Sequence, residues 1–347
     1  MEFLAGGRGE VRITRADVGK RVSVRRLTGD GEGSEKFTDA VGVLTSWNEG
    51  VLSITRRNGE CARIAESSLV AAKVVPAAPA RRRVPSATVR ELQEVAARGW
   101  PAVETERLGE WTLRASGGFT RRANSVLPLG DPGVPLETAL ERITRWYGVR
   151  GLPPAIAVAT GRADTDAELT ARLAERGWAD ERHTRIRIAP LAPLADTPPG
   201  PAGGTPGAVT LSREPEADWL ALYNRTGEGG PGGQVSENAL KVLTGGPSVW
   251  CATVHGADGR TTAIGRLAVD GRWAGFSAVE VAPDARRQGL ATLVMTALAE
   301  RALAEGASAA YLQVEADNTG ALGFYDRLGF TDHHGYHYRR ALPDAPR

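Results

Sequence analysis

The segments FSAVEVAPDARRQGLATL (Phe276 to Leu293) and YLQVEADNTGALGFYDRLGF (Tyr311 to Phe330) decide the fold of this chain. The first alternates in polarity up to Pro283, which is the pattern of a β-strand, and proline ends the pairing of a strand. A helix then follows, because apolar residues recur at the spacing of one buried face. These residues are Leu290, Leu293, Val294, Ala297 and Leu298.

The loop DARRQGLA (Asp284 to Ala291) joins this strand to the helix. Gly289 lets the backbone approach a ligand closely, and the start of a helix offers N–H groups without partners. The helix dipole, Arg286 and Arg287 add positive potential. Such a loop suits a pyrophosphate, although by itself it also fits an ordinary turn from a strand to a helix.

Taken together, the two segments resemble the two signatures of GNAT N-acetyltransferases. RRQGLA resembles the R/Q-x-x-G-x-G/A loop that binds acyl-CoA, and FYDRLGF, which follows an asparagine, resembles the second signature. The resemblance covers residues 209–340. It implies an α/β (α+β) GNAT fold that moves an acetyl group from the co-substrate acetyl-CoA to a primary amine. The amine would attack directly in a ternary complex, and the acceptor is either a protein lysine or N-terminus or a small-molecule amine.

The resemblance also implies roles for individual residues. Tyr325 would donate a proton to the departing thiolate, or else serve only as a core aromatic residue. Glu280 would be the general base, or else part of a salt bridge. Some protein-acetylating relatives have a glutamate where this chain has Gln313, and Glu315 is a nearby substitute. The residues expected to bind CoA are Val279, Val281, Arg286, Arg287, Gln288, Gly289, Leu290, Ala291, Asn318, Ala321 and Tyr325.

Residues 136–178 and 290–330 follow the same order of helix, strand and helix, and they end in the similar phrases LAERGW and YDRLGF. This repetition indicates a duplicated α/β unit. The first copy has GDPGVP (residues 130–135) in place of the arginine-glycine loop, and Asp131 would repel a pyrophosphate. We therefore expect this degenerate copy to be structural or to wall the substrate cleft. Residues 117–124 are either a loop that lines the substrate or a simple connection between strands.

Composition divides the chain further. Short strands with turn signals predict a small all-β barrel at residues 1–75, and the actinobacterial GNAT group that the chain resembles begins with a Src-homology-3-like barrel. Some members of that group are described as histone acetyltransferases. Residues 76–87 and 190–207 read as linkers, because proline, glycine and arginine dominate them. The degenerate half then spans residues 88–189, and the acetyl-CoA-binding GNAT domain spans residues 208–347.

The overall charge and composition exclude several classes of protein. The chain has 347 residues, 43 basic and 41 acidic side chains, and a net charge of +2. A near-neutral charge argues against binding of nucleic acid in bulk, and we expect a cytoplasmic protein without membrane spans. We expect no metal site, because the two cysteines lie far apart and DHHG (residues 332–335) reads as a turn. The oligomeric state is open.

Two alternatives to an enzyme follow from the same sequence. One is a CoA-binding sensor without catalysis. The other is an adaptor that binds nucleic acid or protein through the N-terminal barrel, where ten basic residues lie from Arg12 to Arg63. Finally, the glycine-rich residues 227–234 are either a mobile lid over the acceptor site or a surface loop.

Overall fold

The structure of the chain is a computed structural model. It describes residues 11–28, 36–56, 60–75, 84–162, 164–198, 208–223 and 236–342. The chain divides into two compact units, residues 1–83 and 84–347.

The N-terminal unit is a six-stranded sheet. Its strands are β1 (Val11–Arg12), β2 (Arg21–Thr28), β3 (Lys36–Asn48), β4 (Val51–Thr55), β5 (Cys61–Ala65) and β6 (Leu69–Val74). They pair in the order β1-β6-β2-β3-β4-β5, and all pairs except β1–β6 are antiparallel. Glu49 and Gly50, both at positive φ, form the tight turn between β3 and β4, where the sequence predicts one. Closure into a Src-homology-3-like barrel stays a prediction.

The first half of the larger unit begins with a helix and a small sheet. Its elements are α1 (Val89–Gly99), β7 (Glu104–Leu108), β8 (Trp111–Ala115), β9 (Leu127–Pro128), α2 (Leu136–Gly148), β10 (Ala155–Thr160), α3 (Ala167–Glu175), β11 (Ala179–Pro190) and α4 (Leu191–Ala195). Strands β7, β8 and β9 form a three-stranded antiparallel sheet.

The second half carries most of the large sheet. Its elements are β12 (Val209–Ser212), α5 (Ala217–Leu222), α6 (Glu237–Thr244), β13 (Val249–His255), β14 (Thr261–Asp270), β15 (Trp273–Val281), α7 (Leu290–Ala304), β16 (Ala309–Glu315), α8 (Thr319–Arg327) and β17 (Thr331–Arg340). The eight strands of the large sheet pair in the order β10-β17-β11-β16-β15-β14-β13-β12. The predicted mixed α/β fold is confirmed.

The two copies that the sequence predicts share this large sheet. The first runs α2, β10, α3 and β11, and the second runs α7, β16, α8 and β17. Strand β17 pairs with β10, β11 pairs with β16, and β11 and β17 pair with each other. Each copy therefore places its last strand beside the other copy's middle strand, which is a reciprocal strand exchange.

The large sheet is covered on both faces. Helix α7 packs on β13–β15, where Val294 and Leu298 join Leu267 in one buried core. The approach is close because β14 has Gly265, where a Cβ atom would lie 2.5 Å from Cγ1 of Val294. Helix α1 covers the opposite face, and its Leu92 packs with the core that contains Trp273 and Tyr311.

The described residues of both predicted linkers contact the rest of the larger unit, and the predicted domain bounds stay a prediction. In the first, the carbonyl of Ser86 accepts a hydrogen bond of 2.7 Å from Arg272, and the carbonyl of Ala87 lies 2.9 Å from Nε2 of His333. In the second, Leu191 and Leu194 are fully buried against α7 in a short helix. These two leucines form the apolar face of the helix, which the high proline content of the segment did not predict. Residues 76–83 and 199–207 lie outside the described residues.

Across the part of the chain that the structure describes, no helix is long and apolar enough to cross a membrane.

Candidate active site

The central strands β15 and β16 separate partway along their length. They pair in parallel from Trp273 to Phe276 against Ala309 to Leu312. Beyond that point β15 pairs only with β14, and β16 pairs only with β11. Past Phe276, the edge of β15 toward β16 pairs with no described strand, so backbone groups such as those of Val279 can bond to a ligand there.

A β-bulge lies at this splay. Ser277 stands opposite Arg266 and Glu280 opposite Ile264, so two residues of β15 face one residue of β14. Ala278 adopts φ of +52°, which is uncommon for a residue other than glycine. Bulges of this kind redirect side chains and are frequent next to active sites.

Strand β15 presents two different faces at the bulge. Val279 and Val281 pack against the core beneath α7. Ala278 packs on the opposite side of the sheet, in a cluster that contains Ile264. Since Glu280 is the cross-strand neighbour of Ile264, its side chain shares that opposite face.

A cleft of about 380 Å³ opens at the splay. Of the predicted site residues, the structure brings together Val279, Glu280, Asn318, Ala321 and Tyr325 in its lining. Residues 286–291 and Val281 do not line it. They lie at the end of β15 and at the start of α7 instead.

The loop before α7 has an unusual backbone. Arg287 (φ +64°) and Gly289 (φ +81°) are both in the left-handed region, and Gly289 is the N-cap of α7. Arg260 holds the loop from the side, with Nη2 at 2.5 Å from Oδ2 of Asp284, and this hydrogen bond lowers the pKa of that carboxyl group. Arg286, Arg287 and Gln288 are exposed. The turn therefore lies at the surface of the protein, where the first amides of α7 can bind an anion.

Helix α8 supplies the wall of the cleft on the same side of the sheet. Asn318 is its N-cap, and its side chain accepts a hydrogen bond of 3.1 Å from the amide of Ala321. Tyr325 is half-buried and meets Phe330 edge to face at 5.7 Å between ring centroids. Its ring belongs to the rim of the core, while the residue also lines the cleft. The two readings of Tyr325 from the sequence are therefore compatible.

The opposite wall is formed by the first half of the larger unit, β17 and Tyr223 at the end of α5, and sequence reasoning missed most of it. Asn124 is buried and holds the turn of residues 117–124 by accepting from the amides of Ser116 and Gly118 and donating to two carbonyls. A single asparagine thus fixes this turn, which lines the cleft as one of the two readings predicts. The residues of this wall are Thr120, Arg121, Arg122, Arg182, Thr184, Tyr223, Tyr336 and Tyr338.

Gln313 and Glu315 both line the cleft on β16. Oε1 of Gln313 accepts a hydrogen bond of 2.7 Å from the hydroxyl of Tyr336, so this amide positions a phenol of the opposite wall. Glu315 is exposed, and its Oε1 lies 3.9 Å from Nη1 of Arg182.

A thiol nucleophile does not fit this site. Cys251 is fully buried on β13, and burial raises the pKa of its thiol to about 11. A thiol of this kind is protonated at neutral pH and is a poor nucleophile. Cys61 belongs to the other unit.

The histidines of the C-terminal segment do not form a turn, so that prediction is wrong. Residues 332–335 lie inside β17, because the strand pairs with β10 and β11. His337 of the same strand lies near Asp180 and His183, and one ligand atom from each falls within 4.8 Å of the others. Structural zinc sites usually have four protein ligands. The expectation of no metal stays a prediction.

Two solved structures share the fold of the larger unit. A GCN5-related N-acetyltransferase from Kribbella flavida superposes with a TM-score of 0.52 at 16% identity, covering 75% of this chain and 98% of that one. A protein of unknown function from Staphylococcus epidermidis superposes with a TM-score of 0.51 at 11% identity, covering 72% of this chain and 100% of that one. The fold is therefore the GNAT fold.

Sequence comparisons define the family within this class. The family model described as "Probable histone acetyltransferase Rv0428c C-terminal" matches residues 86–339. "Probable histone acetyltransferase Rv0428c" of Mycobacterium tuberculosis is 30% identical over 327 residues, which cover 92% of this chain and 94% of the relative. "Uncharacterized N-acetyltransferase YobR" of Bacillus subtilis is 27% identical over 262 residues, covering 72% and 98%. The chain belongs to the Rv0428c C-terminal family of GNAT proteins, and it is an acetyltransferase.

Proposed function

We propose that the protein transfers the acetyl group of acetyl-CoA to a primary amine, which attacks the thioester directly in a ternary complex. The observation that carries this proposal is that Glu280 and Tyr325 line the same cleft, at the β15–β16 splay. The burial of Cys251 supports direct attack, because a thiol that would carry an acetyl group is not at hand.

The co-substrate fits the residues at the start of α7. Amides of residues 288–291, together with Arg286 and Arg287, would bind the pyrophosphate, because positive φ at Arg287 and Gly289 turns the backbone there. Val279 and Val281 would pair with the pantetheine through the free edge of β15. Asn318 and Ala321 would flank the pantetheine at the start of α8. Bound acetyl-CoA supplies the activated acetyl group.

Tyr325 is the proposed general acid. When the amine nitrogen bonds to the acetyl carbon and the C–S bond breaks, the sulfur leaves as a thiolate with a conjugate acid pKa of about 8.5. A phenol at the cleft wall can donate its proton to this sulfur. The packing of Tyr325 on Phe330 holds the ring in place.

Glu280 is the proposed general base. Its side chain lies on the face of β15 opposite Val279 and Val281, and the residue lines the cleft. There it can take the proton that the amine loses on attack, directly or through a water molecule. Gln313 has no basic group, and its amide is engaged with Tyr336.

The acceptor is a separate question. Relatives carry different names. The mycobacterial protein is named a probable histone acetyltransferase. A protein of Clavibacter sepedonicus is named a mycothiol acetyltransferase, and it is 29% identical over 225 residues, covering 60% of this chain and 73% of that protein. The proposal includes both a protein amine and a small-molecule amine.

Initial-rate kinetics test the proposed function. CoA release should be measured with acetyl-CoA and a panel of polyamines, amino acids and a lysine-containing peptide. A ternary complex predicts intersecting double-reciprocal lines when both substrates are varied. Parallel lines would indicate a covalent acetyl-enzyme, and binding of acetyl-CoA without release of CoA for any amine would contradict acetyl transfer to these acceptors.

A further inference from the structure

A second, smaller cavity adjoins the cleft on its acceptor side. Its volume is about 40 Å³, which is room for a group of a few heavy atoms, since about 10–15 Å³ holds one water molecule. Four residues line both the cavity and the cleft, so the two spaces are neighbours; they are Arg122, Gln313, Tyr336 and Tyr338. The cavity is therefore within reach of an acceptor in the cleft.

The polar lining of this cavity is cationic. Arg114 and Arg122 line it, together with the amides of Gln93 and Gln313. The described residues contribute no aspartate or glutamate to the lining. A cavity with two guanidinium groups and no carboxylate of its own is complementary to an anion.

Arg114 is held rigidly in the wall. Only 7% of the residue is exposed, and its Nε and Nη2 each donate a hydrogen bond of 2.9 Å to Ser125, to the carbonyl and the hydroxyl oxygen respectively. Its carbonyl accepts a hydrogen bond of 2.9 Å from the hydroxyl of Tyr147. The guanidinium group is therefore positioned before any ligand arrives.

Arg122 is fixed by an aromatic ring. Its guanidinium carbon lies 4.5 Å from the ring centroid of Trp100. Arg266 lies 5.0 Å from the same centroid and adds a third positive charge nearby. Within the described ranges, Arg114 and Arg122 form no salt bridge. Neighbouring Arg121 differs, because its Nη2 lies 2.8 Å from Oε1 of Glu181.

Buried cations without a counterion are costly. Burial lowers the pKa of Arg114, because the surrounding protein solvates the charged guanidinium group less well than water does. A guanidinium group still remains protonated in proteins. An anionic ligand would recover part of the lost solvation, and a carboxylate matches the planar fork of arginine.

We infer that this cavity is the subsite for a carboxylate group of the acceptor, so that the substrate is a small amine that carries a carboxylate. The inference rests on the proposed function and names its substrate class. The carboxylate is bound and remains unchanged, while the amine nitrogen forms the new bond to the acetyl carbon and the C–S bond breaks. Arg114 and Arg122 are specificity-determining residues in this scheme.

Matched pairs of amines test the inference. Glycine, β-alanine, 4-aminobutyrate and lysine should each be compared with the corresponding carboxamide in the CoA-release assay. At least one amino acid should exceed its carboxamide in kcat/KM by on the order of 10²-fold, as expected when one partner of a buried ion pair is removed. Arg122→Gln should abolish this preference while affinity for acetyl-CoA stays the same.

The control is Arg121→Gln. This variant also removes one positive charge, but from the adjacent residue, whose guanidinium group already forms a salt bridge with Glu181. It should keep the preference. Arg114→Gln serves as a second variant, and its thermal unfolding reports whether it folds. Three results would each overturn the inference and leave acetyl transfer standing. The first is equal rates for acids and carboxamides, and the second is turnover of polyamines or the lysine-containing peptide alone. The third is an unchanged preference for acids in Arg122→Gln. Failure of every amine would instead contradict the proposed function itself.

Discussion

Individual residues carry the chemistry, and the loop before α7 shows which of them the sequence predicts. The glycine that a close phosphate contact demands is visible in RRQGLA, and the structure places it at positive φ. The bulge at Ala278 is not visible, because alanine has no preference for φ of +52° and only pairing with β14 imposes it. Local chemistry was therefore predictable, and conformations imposed by neighbours were not.

Gly289→Glu should abolish binding of CoA. The substitution places a side chain at φ of +81° and a negative charge at the N-terminus of α7, where the proposed pyrophosphate lies. Isothermal titration calorimetry measures the effect. Gly306→Glu is the matched control, because Gly306 (φ +93°) lies just beyond the other end of α7 and a Cβ atom there meets nothing within 4 Å. Affinity should persist in this control, and an unchanged affinity in Gly289→Glu would refute the assignment.

Tyr325→Phe should lower kcat by on the order of 10²-fold with little change in affinity for CoA, because it removes only the proton donor. The ring should keep its packing on Phe330. Steady-state kinetics and calorimetry on the same preparation separate the two quantities. A variant that turns over at the wild-type rate would leave Tyr325 as a core aromatic residue only.

Glu280→Gln should lower kcat/KM by a factor on the order of 10² to 10⁴ and should remove the limb of its pH profile that reports the base. Glu315→Gln is the control, because Glu315 lines the same cleft from the adjacent strand. The control should retain the wild-type profile. If the control loses the limb and Glu280→Gln keeps it, the base is Glu315.

Among the elements, β17 departs most from its predicted form. The sequence DHHG suggested a turn, yet these residues lie in β17, where Asp332, His334 and Gly335 pair with β11 and Gly335 also pairs with β10. Histidine and glycine are poor guides here, because strand pairing and burial outweigh their local preferences. The element order of both copies, in contrast, followed from periodicity, since each helix and strand has its own apolar pattern.

His334 should make stability depend on pH. Burial is the main cause that lowers its pKa to about 4, and neighbouring His333 adds to the effect. The folded state then resists protonation while the unfolded state accepts a proton near pH 6.5, so the free energy of unfolding falls as pH decreases from about 6.5 to 4. The loss is about 3.5 kcal/mol, at roughly 1.4 kcal/mol per pKa unit.

Urea unfolding at several pH values measures this loss. His334→Gln should have a shallower pH dependence over that interval than the wild-type protein. An identical slope for His334→Gln would show that other groups cause the acid sensitivity.

For the whole molecule, the reciprocal strand exchange is the main feature that the sequence did not reveal. Self-similar phrases predicted two copies, but they carry no information about which strands pair, because pairing is a long-range property. The sequence divided residues 84–347 at a linker, whereas the structure keeps them in one compact unit.

Residues 208–347 should not fold alone. Without β10 and β11, strand β17 loses both partners and β16 loses one, which leaves unpaired edges that favour aggregation. Residues 84–347 should unfold in one cooperative transition, as followed by circular dichroism in urea. Co-expression of residues 84–198 with 208–347 should restore a folded complex. A monomeric, cooperatively folded 208–347 fragment would contradict this prediction.

The turn that Asn124 holds lies on the acceptor side of the cleft, separate from the proposed donor site on α7. It belongs to the first half of the larger unit, which has GDPGVP in place of the arginine-glycine loop, so changes in it need not disturb the proposed pyrophosphate site. We expect that changes in the first half can alter the acceptor while the proposed donor site on α7 and α8 stays the same. Grafting residues 117–124 between relatives would therefore be a direct route to altered selectivity.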